Sequence, residues 1–480
     1  HLIDRIRNKT IINNSSQEAP IVLIVNGETT ATSGRSQWWS LAGAEEIGMN
    51  TICSDYTINK KEGLLVLHTR EADWFIDQIY RLRGERLERG LKITYLGDKE
   101  ALLRGIEFNV PPGNLGPASE CFVEAPGYPV KAHQPLTFLP SGLYWDKIGW
   151  DPGSAPDAPG WKTGLLCLNN SKQAISLAAC GFSKTEPCLL KTRRGDHGLQ
   201  IRHTAIVSDR FKKGHSIEWQ GQYLWFTHSP IMEFLNDFQA WYEEIGLSAV
   251  ETPDWAKSAR IYEMFIGKGS KKPTKFSDMD TLIHDLERIK NLGFNTIQIM
   301  PKRPYPSYSV ADYYDVDVHY GSSDGLKRLV KKAHRMNMKI LLDVVLHGVR
   351  DQEIKKGFGQ LSKKHPYRIK HPEWFMETEF GTPAKTYTWS FDHANPDWQD
   401  FMVGVFKHYI AEYNVDGFRV DALTWNIFPN WAKGLPYRAS ESIYASSKLM
   451  KRVGTEIKKI KPEAILYSET TGPLYAHSCH

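Results

Sequence analysis

The sequence lacks any run of about 18 consecutive apolar residues, the length a membrane-spanning helix needs, so no such span is expected. It also lacks a dense basic run. Its 60 Lys and Arg against 55 Asp and Glu leave a net charge of +5 over 480 residues, too dilute to imply a nucleic-acid surface. Cysteine is scarce: Cys53, Cys121, Cys167, Cys180, Cys188 and Cys479 are scattered, with no close pair of the kind that ligates zinc. A chain this long has no need of a disulfide framework. The start, His1-Leu2-Ile3-Asp4, shows neither a methionine nor a signal-peptide pattern, so the true N-terminus is expected upstream. Compartment stays open, with the cytoplasm favoured. The glycosylation sequons Asn8-Lys9-Thr10 and Asn169-Asn170-Ser171 are matches that chance supplies readily.

What is present points to a folded chain with two large domains. Apolar residues make up 41% and charged residues 24%. Up to Thr227 the pattern is strand-like. Gly63–His68 is a short apolar run, and Asp73–Leu96 reads as two long strands turning at Gly84-Glu85. Pro111 to Pro159 is rich in Gly and Pro and reads as loops. Phe234, Phe238, Trp241 and Ile245 then fall at helical spacing, with Gly246 placed as a C-terminal cap. Residues 1–250 are accordingly expected to form an all-β, sandwich-like accessory domain ending in a linker helix at 231–246. Its aromatic residues are expected to be mostly core.

From Ala259 the period changes. Strand Ile261–Phe265 precedes a helix opened at Ser277, and strand Thr296–Met300 follows. The alternation repeats through a helix bearing Leu326, Leu329 and Val330, strand Ile340–Val345, and a helix capped by Asn395-Pro396. Strand Gly417–Ala422, a helix from Ser440 to Ile460 and strand Ile465–Ser468 complete it. Short αβ turns imply a parallel sheet. In parallel α/β folds the reacting groups sit at the C-terminal strand ends, and three consecutive strands end in a carboxylate there: Asp343, Asp421 and Glu469. Neighbouring strands lie roughly 4.8 Å apart, so adjacent carboxylates can approach to about 5–5.5 Å, the separation of retaining glycosidases. Arg419 precedes Asp421 by two residues and leaves the same strand face, where its charge favours an ionised Asp421. Glu469, if the less solvated of the two, keeps its proton and acts as general acid. An isolated buried Arg–Asp pair is more often structural, and a strand-end Glu or lone His is by default solvated or structural; the surrounding motifs shift these readings toward function.

Those motifs carry a resemblance. Gly417-Phe418-Arg419-Val420-Asp421-Ala422, Asp343-Val344-Val345, Ser468-Glu469, and Tyr308-Ser309-Val310-Ala311-Asp312-Tyr313-Tyr314 followed by Tyr320-Gly321 stand in the order and spacing of the motifs of α-amylase-type glycoside hydrolases. The chain is identified as a member of that family over Ala259–Glu469. The resemblance implies a (β/α)8 TIM-type barrel at 251–480, of which about five β-α units are present, truncated after strand five. It implies Asp421 as nucleophile and Glu469 as acid/base. Arg419 would orient Asp421, Tyr308 would stack on the sugar, Asp343 and Asp312 would support the site, and His347 and Trp425 would be candidate sugar contacts. The family's third catalytic Asp would lie beyond residue 480, so this exact chain is expected to be inactive by itself. The first motif departs from the family pattern, reading His347-Gly348 where Asn-His is usual. The expected function is retaining hydrolysis or transglycosylation of α-glucosidic bonds in an α-glucan or oligosaccharide, without cofactor or metal. The alternatives are a non-catalytic carbohydrate-binding or scaffold member and a metal-dependent barrel hydrolase, for which only His347 is placed.

Overall fold

The computed structural model describes residues 2–4, 9–12, 19–29, 41–49, 55–113, 115–124, 133–138, 144–145, 165–170, 172–173, 175–181, 188–195, 198–228, 231–267, 275–303, 310, 312–350, 364–385, 388–426, 428–469 and 475–480. The chain divides into two compact units, residues 1–31, 36–246 and 435–444 in one and 32–35, 247–434 and 445–480 in the other. A single cut near 250 therefore does not reproduce this division; 435–444, deep in the second half of the sequence, groups with the first unit.

Within the first unit, two antiparallel sheets of eight and nine described strands face each other. The long strands on either side of Gly84-Glu85 are Trp74–Arg83 and Arg86–Tyr95. Their period-2 pattern buries Trp74 and Ile76 on one and Leu91 and Ile93 on the other. These residues meet Leu103, Ile106, Phe108 and Val207 of the opposite sheet in one core. Each fully buried large apolar side chain contributes about 1.5–3 kcal/mol. The Gly/Pro-rich stretch is not all loop: Ala101–Gly113 runs through Pro111-Pro112, and Cys121–Glu124, His133–Pro135 and Tyr144–Trp145 are short strands. Proline removes one donor but tolerates extended backbone, and the ladder shifts register between Val110 and Gly113. Helix Ile231–Glu244 lays Phe234, Phe238 and Trp241 around Trp225, with ring centroids 5.2–5.9 Å apart.

The second unit is built on a parallel sheet of five described strands in sequential order: β1 (Ile261–Gly267), β2 (Thr296–Arg303), β3 (Lys339–Val345), β4 (Gly417–Asp421) and β5 (Ile465–Ser468). Between them run α1 (Met279–Asn291), α2 (Ser323–Arg335), α3 (Pro396–Tyr413) and α4 (Ala445–Ile460). Helix starts are set by side-chain caps. Asp278 accepts from Thr281 N, one residue later than the Ser277 start expected, and Ser322 and Asn395 cap α2 and α3. One core joins Ile297 and Ile299, Leu342 and Val344, Phe418 and Val420, and Leu466 to Leu282, Leu329, Phe406 and Val453 of the four helices.

The alternate strand residues face the other way, and that face carries the polar side chains Gln298, Asp343, Arg419, Asp421 and Tyr467 beside the apolar Met300, Leu341, Val345 and Ile465. The Tyr467 hydroxyl on β5 donates to Gln298 Oε1 on β2, across β3 and β4. On a flat sheet these two positions would stand about 14 Å apart. The sheet therefore curls, with its polar face on the inside. Gln298 Nε2 continues the chain to Glu263 on β1 at 2.9 Å.

Below the site, Asp416 fixes the start of β4. Its buried carboxylate accepts from the Ile340 amide at 2.8 Å and from His334 at 2.8 Å, and it forms an ion pair with Lys461 at 2.9 Å. Burial opposes its charge, but these partners outweigh burial and hold its carboxyl below the usual range.

Candidate active site

The strand register places the functional side chains. Asp343 pairs with Arg419, Val345 with Asp421, and Arg419 with Tyr467. Arg419 thus stands between two strand neighbours, and its guanidinium gathers all three carboxylates. Nη1 donates to Asp343 Oδ2 and, at 2.6 Å, to Asp421 Oδ1; Nη2 lies 3.0 Å from Glu469 Oε1. Ala422, just past Asp421, takes a left-handed φ of 46°, a conformation that costs a non-glycine residue about 1 kcal/mol or more. In that turn its amide donates to Glu469 Oε2 at 3.3 Å.

Burial governs the charges. The side chains of Arg419 and Asp421 are each 10% exposed. Burial pushes the Asp343 carboxyl up to about 8 against the pull of Arg419, and the charge on Asp421 adds to the rise. Asp421 is raised as well, first by burial; Arg419 offsets only part of this, and Glu469 adds to it. Arg419 does favour the ionised form of Asp421, as its place on the strand suggests, but desolvation is the larger effect and the carboxyl ends above its usual range. Glu469 is not the less solvated of the pair: its side chain is 47% exposed, since β5 is the outermost described strand and has a neighbour on one flank. Arg419 is itself held above its usual value: burial works against its charge, and the three carboxylates more than compensate.

The end of β3 is held by tyrosines. β2 pairs with β3 only as far as Leu342. The next carbonyls accept from hydroxyls instead, Asp343 O from Tyr320 and Val345 O from Tyr313, both at 2.6 Å. Both tyrosines stand in the 308–321 motif, where nothing in the sequence marks this task. Asp312 is exposed; its carboxylate accepts from Tyr314 N at 2.9 Å and its carbonyl bonds His319 at 2.7 Å. It organises the turn carrying Tyr313. Tyr308 lies outside the described residues. The Trp425 backbone lies in the turn Leu423–Asn426, and its side chain is outside the description.

His347 lies in the cluster. Its Nε2 is 3.6 Å from Asp421 Oδ2, and its Nδ1 bonds Thr388 Oγ1 at 2.9 Å. Thr388 belongs to a hairpin pairing Gly348–Arg350 with Thr388–Ser390. That hairpin accounts for the altered motif. Gly348 has φ 143°, and a Cβ there would stand 2.0 Å from Trp389 O, so no histidine fits at 348. Asn426, unnoticed in the sequence, donates from Nδ2 to the carbonyls of His347 and Phe391, both at 2.9 Å.

The structure thus sets a two-layer β unit before an α/β unit in which a basic side chain gathers carboxylates from adjacent strand ends, and comparison assigns the family. The profile "Alpha amylase, catalytic domain" matches residues 206–474, more than half its length, and the chain belongs to this family. It is 28% identical over 232 residues to Alpha-amylase 3 of Dictyoglomus thermophilum, covering 45% of this chain and 44% of that one. To the 1,4-alpha-glucan-branching enzyme of Yarrowia lipolytica it is 29% identical over 195 residues, 38% of this chain and 26% of that one. The chain thus spans less than half the length of these curated relatives. Among solved structures it resembles the GH36 alpha-galactosidase AgaA of Geobacillus stearothermophilus, with TM-score 0.54 at 13% identity, over 95% of this chain and 63% of that one. At that identity the likeness is one of fold.

Proposed function

We propose that the protein carries out retaining cleavage or transfer at α-glucosidic bonds of an α-glucan or oligosaccharide, on a (β/α)8 barrel whose first five strands are β1–β5. The observation that carries this reading is the single guanidinium of Arg419 tied to carboxylates from three adjacent strand ends. One oxygen of Asp421 is fixed by Arg419, which leaves Oδ2 to attack the anomeric carbon. As that bond forms, the bond to the glycosidic oxygen breaks, and Glu469 delivers a proton to the departing oxygen. In the second half Glu469 takes a proton from an incoming hydroxyl, the new carbon–oxygen bond forms and Asp421 is released. Water in that role gives hydrolysis; a sugar hydroxyl gives transfer. Relatives named for either outcome match at similar identity, so both outcomes belong to the proposal. Asp343 anchors Arg419 from the buried side.

The test is Asp421→Asn in the full-length protein acting on an α-glucan. A carboxamide cannot form the glycosyl ester, and kcat is expected to fall by at least a thousandfold, about 4 kcal/mol of barrier. Activity within tenfold of the parent would remove Asp421 as nucleophile.

A further inference from the structure

One residue outside the strand-end carboxylates, His347, faces the oxygen of Asp421 that Arg419 does not bind, and a second, Thr388, holds its ring from behind. The His347 ring is buried, with Nε2 facing Asp421 Oδ2 at 3.6 Å and Nδ1 bonded to Thr388 Oγ1 at 2.9 Å. Resting on the reading of Asp421 as nucleophile, we propose that Thr388 and His347 form a positioning relay: Thr388 fixes the imidazole so that His347 presents an N–H to the attacking oxygen of Asp421.

The tautomer follows from the partners. A threonine hydroxyl can donate or accept, so Thr388 alone does not decide where the ring proton sits. The carboxylate does. A neutral ring with its proton on Nδ1 would aim a lone pair at Asp421 Oδ2, whereas a proton on Nε2 points toward the negative oxygen. Thr388 then donates to Nδ1. His347 is held from the main chain as well, because its carbonyl accepts from Asn426 Nδ2 and from Phe391 N at 3.3 Å. The charged and titratable groups linked to the ring begin with Asp421 and extend through its partners. β4 supplies Asp421 and behind it Arg419; β3 supplies Asp343; β5 supplies Glu469 through Arg419; and His393 bonds Asn426 at 3.4 Å. Arg419 on Oδ1 and His347 near Oδ2 therefore address different oxygens of one carboxylate. The 3.6 Å spacing is longer than a full hydrogen bond, and Oδ2 is the oxygen that Arg419 does not hold. The hairpin that rules out a histidine at 348 is the element that brings in Thr388, so the changed motif and the relay have one structural origin.

The experiment uses the full-length protein in two measurements. In the first, Thr388→Val removes the hydroxyl at nearly constant shape and Thr388→Ser keeps it. The valine variant is expected to lose about tenfold in kcat, the equivalent of one hydrogen bond, with KM within twofold of the parent. The acid limb of its kcat/KM profile is expected to move to higher pH, because a displaced N–H no longer favours the charged form of Asp421. Thr388→Ser is expected to restore both. A valine variant with parental kcat and an unmoved acid limb, or a serine variant that rescues neither, overturns the proposal. In the second, 15N NMR of labelled histidine, with His347→Gln for assignment, is expected to show the proton on Nε2 and a ring titration that shifts in Asp421→Asn. An identical titration in that variant overturns the pairing. A shifted titration in a protein that turns over no α-glucan supports the pairing and counts against the proposed function.

Discussion

Replacing Arg419 by lysine keeps the charge and removes the fork. Arginine reaches Asp343 and Asp421 through Nη1 and Glu469 through Nη2. A single ammonium on a flexible stem cannot hold three carboxylates in that plane. Each charge-assisted hydrogen bond is worth about 1.5–3 kcal/mol, so losing one that orients Asp421 in the transition state costs about 2 kcal/mol, or roughly 30-fold in kcat/KM. Arg419→Met also removes the charge, leaving two buried carboxyls facing each other and Glu469. Breaking a buried pair in this way costs about 3–5 kcal/mol, and protonation of Asp343 and Asp421 sets the upper limit. Since both are already raised by burial, they take up protons readily and the nucleophile is lost. Methionine is therefore expected to retain a folded protein of reduced stability with activity near background, and lysine an intermediate rate with smaller loss of stability. Thermal midpoints and steady-state kinetics on an α-glucan read both. A methionine variant within threefold of the parental rate would refute the view that Arg419 sets the charge and place of Asp421.

Two further substitutions test the supports. Gly348→Ala places a Cβ 2.0 Å from Trp389 O at a left-handed φ, and is expected to lower stability by at least about 2 kcal/mol in urea denaturation; a neutral effect would refute the tight hairpin. Asp416→Asn removes a 1%-exposed charge from His334 and Lys461 and is expected to cost about 2–4 kcal/mol at neutral pH. The carboxyl of Asp416 is depressed in the folded state, so its contribution is complete above the unfolded Asp value and lost as pH falls through the lower folded one. The variant should therefore show a shallower acid decline than the parent, and parallel declines would refute the assignment.

The carboxylates were legible because strand residues two apart share a face and parallel strands share an end; Asp343, Arg419 and Asp421 meet for that reason alone. What was not legible depends on pairing between distant segments. Thr388 lies 41 residues from His347, and no local pattern marks it as a partner. The reason for Gly348 is a backbone oxygen in the opposite hairpin strand. Relative exposure is not legible, because strand ends carry no sequence record of what covers them: the condition that Glu469 be less solvated than Asp421 is not met among the described residues. The grouping of 435–444 with the first unit was hidden for a similar reason: it contains a single turn of 3-10 helix, Ala439–Ser442, with no period to read.

Register is the property on which the whole site depends. A slip of β4 by one residue against β3 would send Arg419 and Asp421 to the helix-facing side and bring Phe418 and Val420 to the polar face. The supports resist that slip from both ends. Asp416, one residue before β4, is bonded to the first paired amide region of β3 through Ile340, while Tyr320 and Tyr313 fix the β3 carbonyls at Asp343 and Val345. Beyond the strand end, Asn426 ties the turn after Asp421 to His347 on the segment leaving β3. The two strands are thus clamped to each other below the carboxylates and above them, and Arg419 joins their side chains in between. A polar cluster that is costly to bury is held in place because each of its strands is fixed independently of the cluster itself.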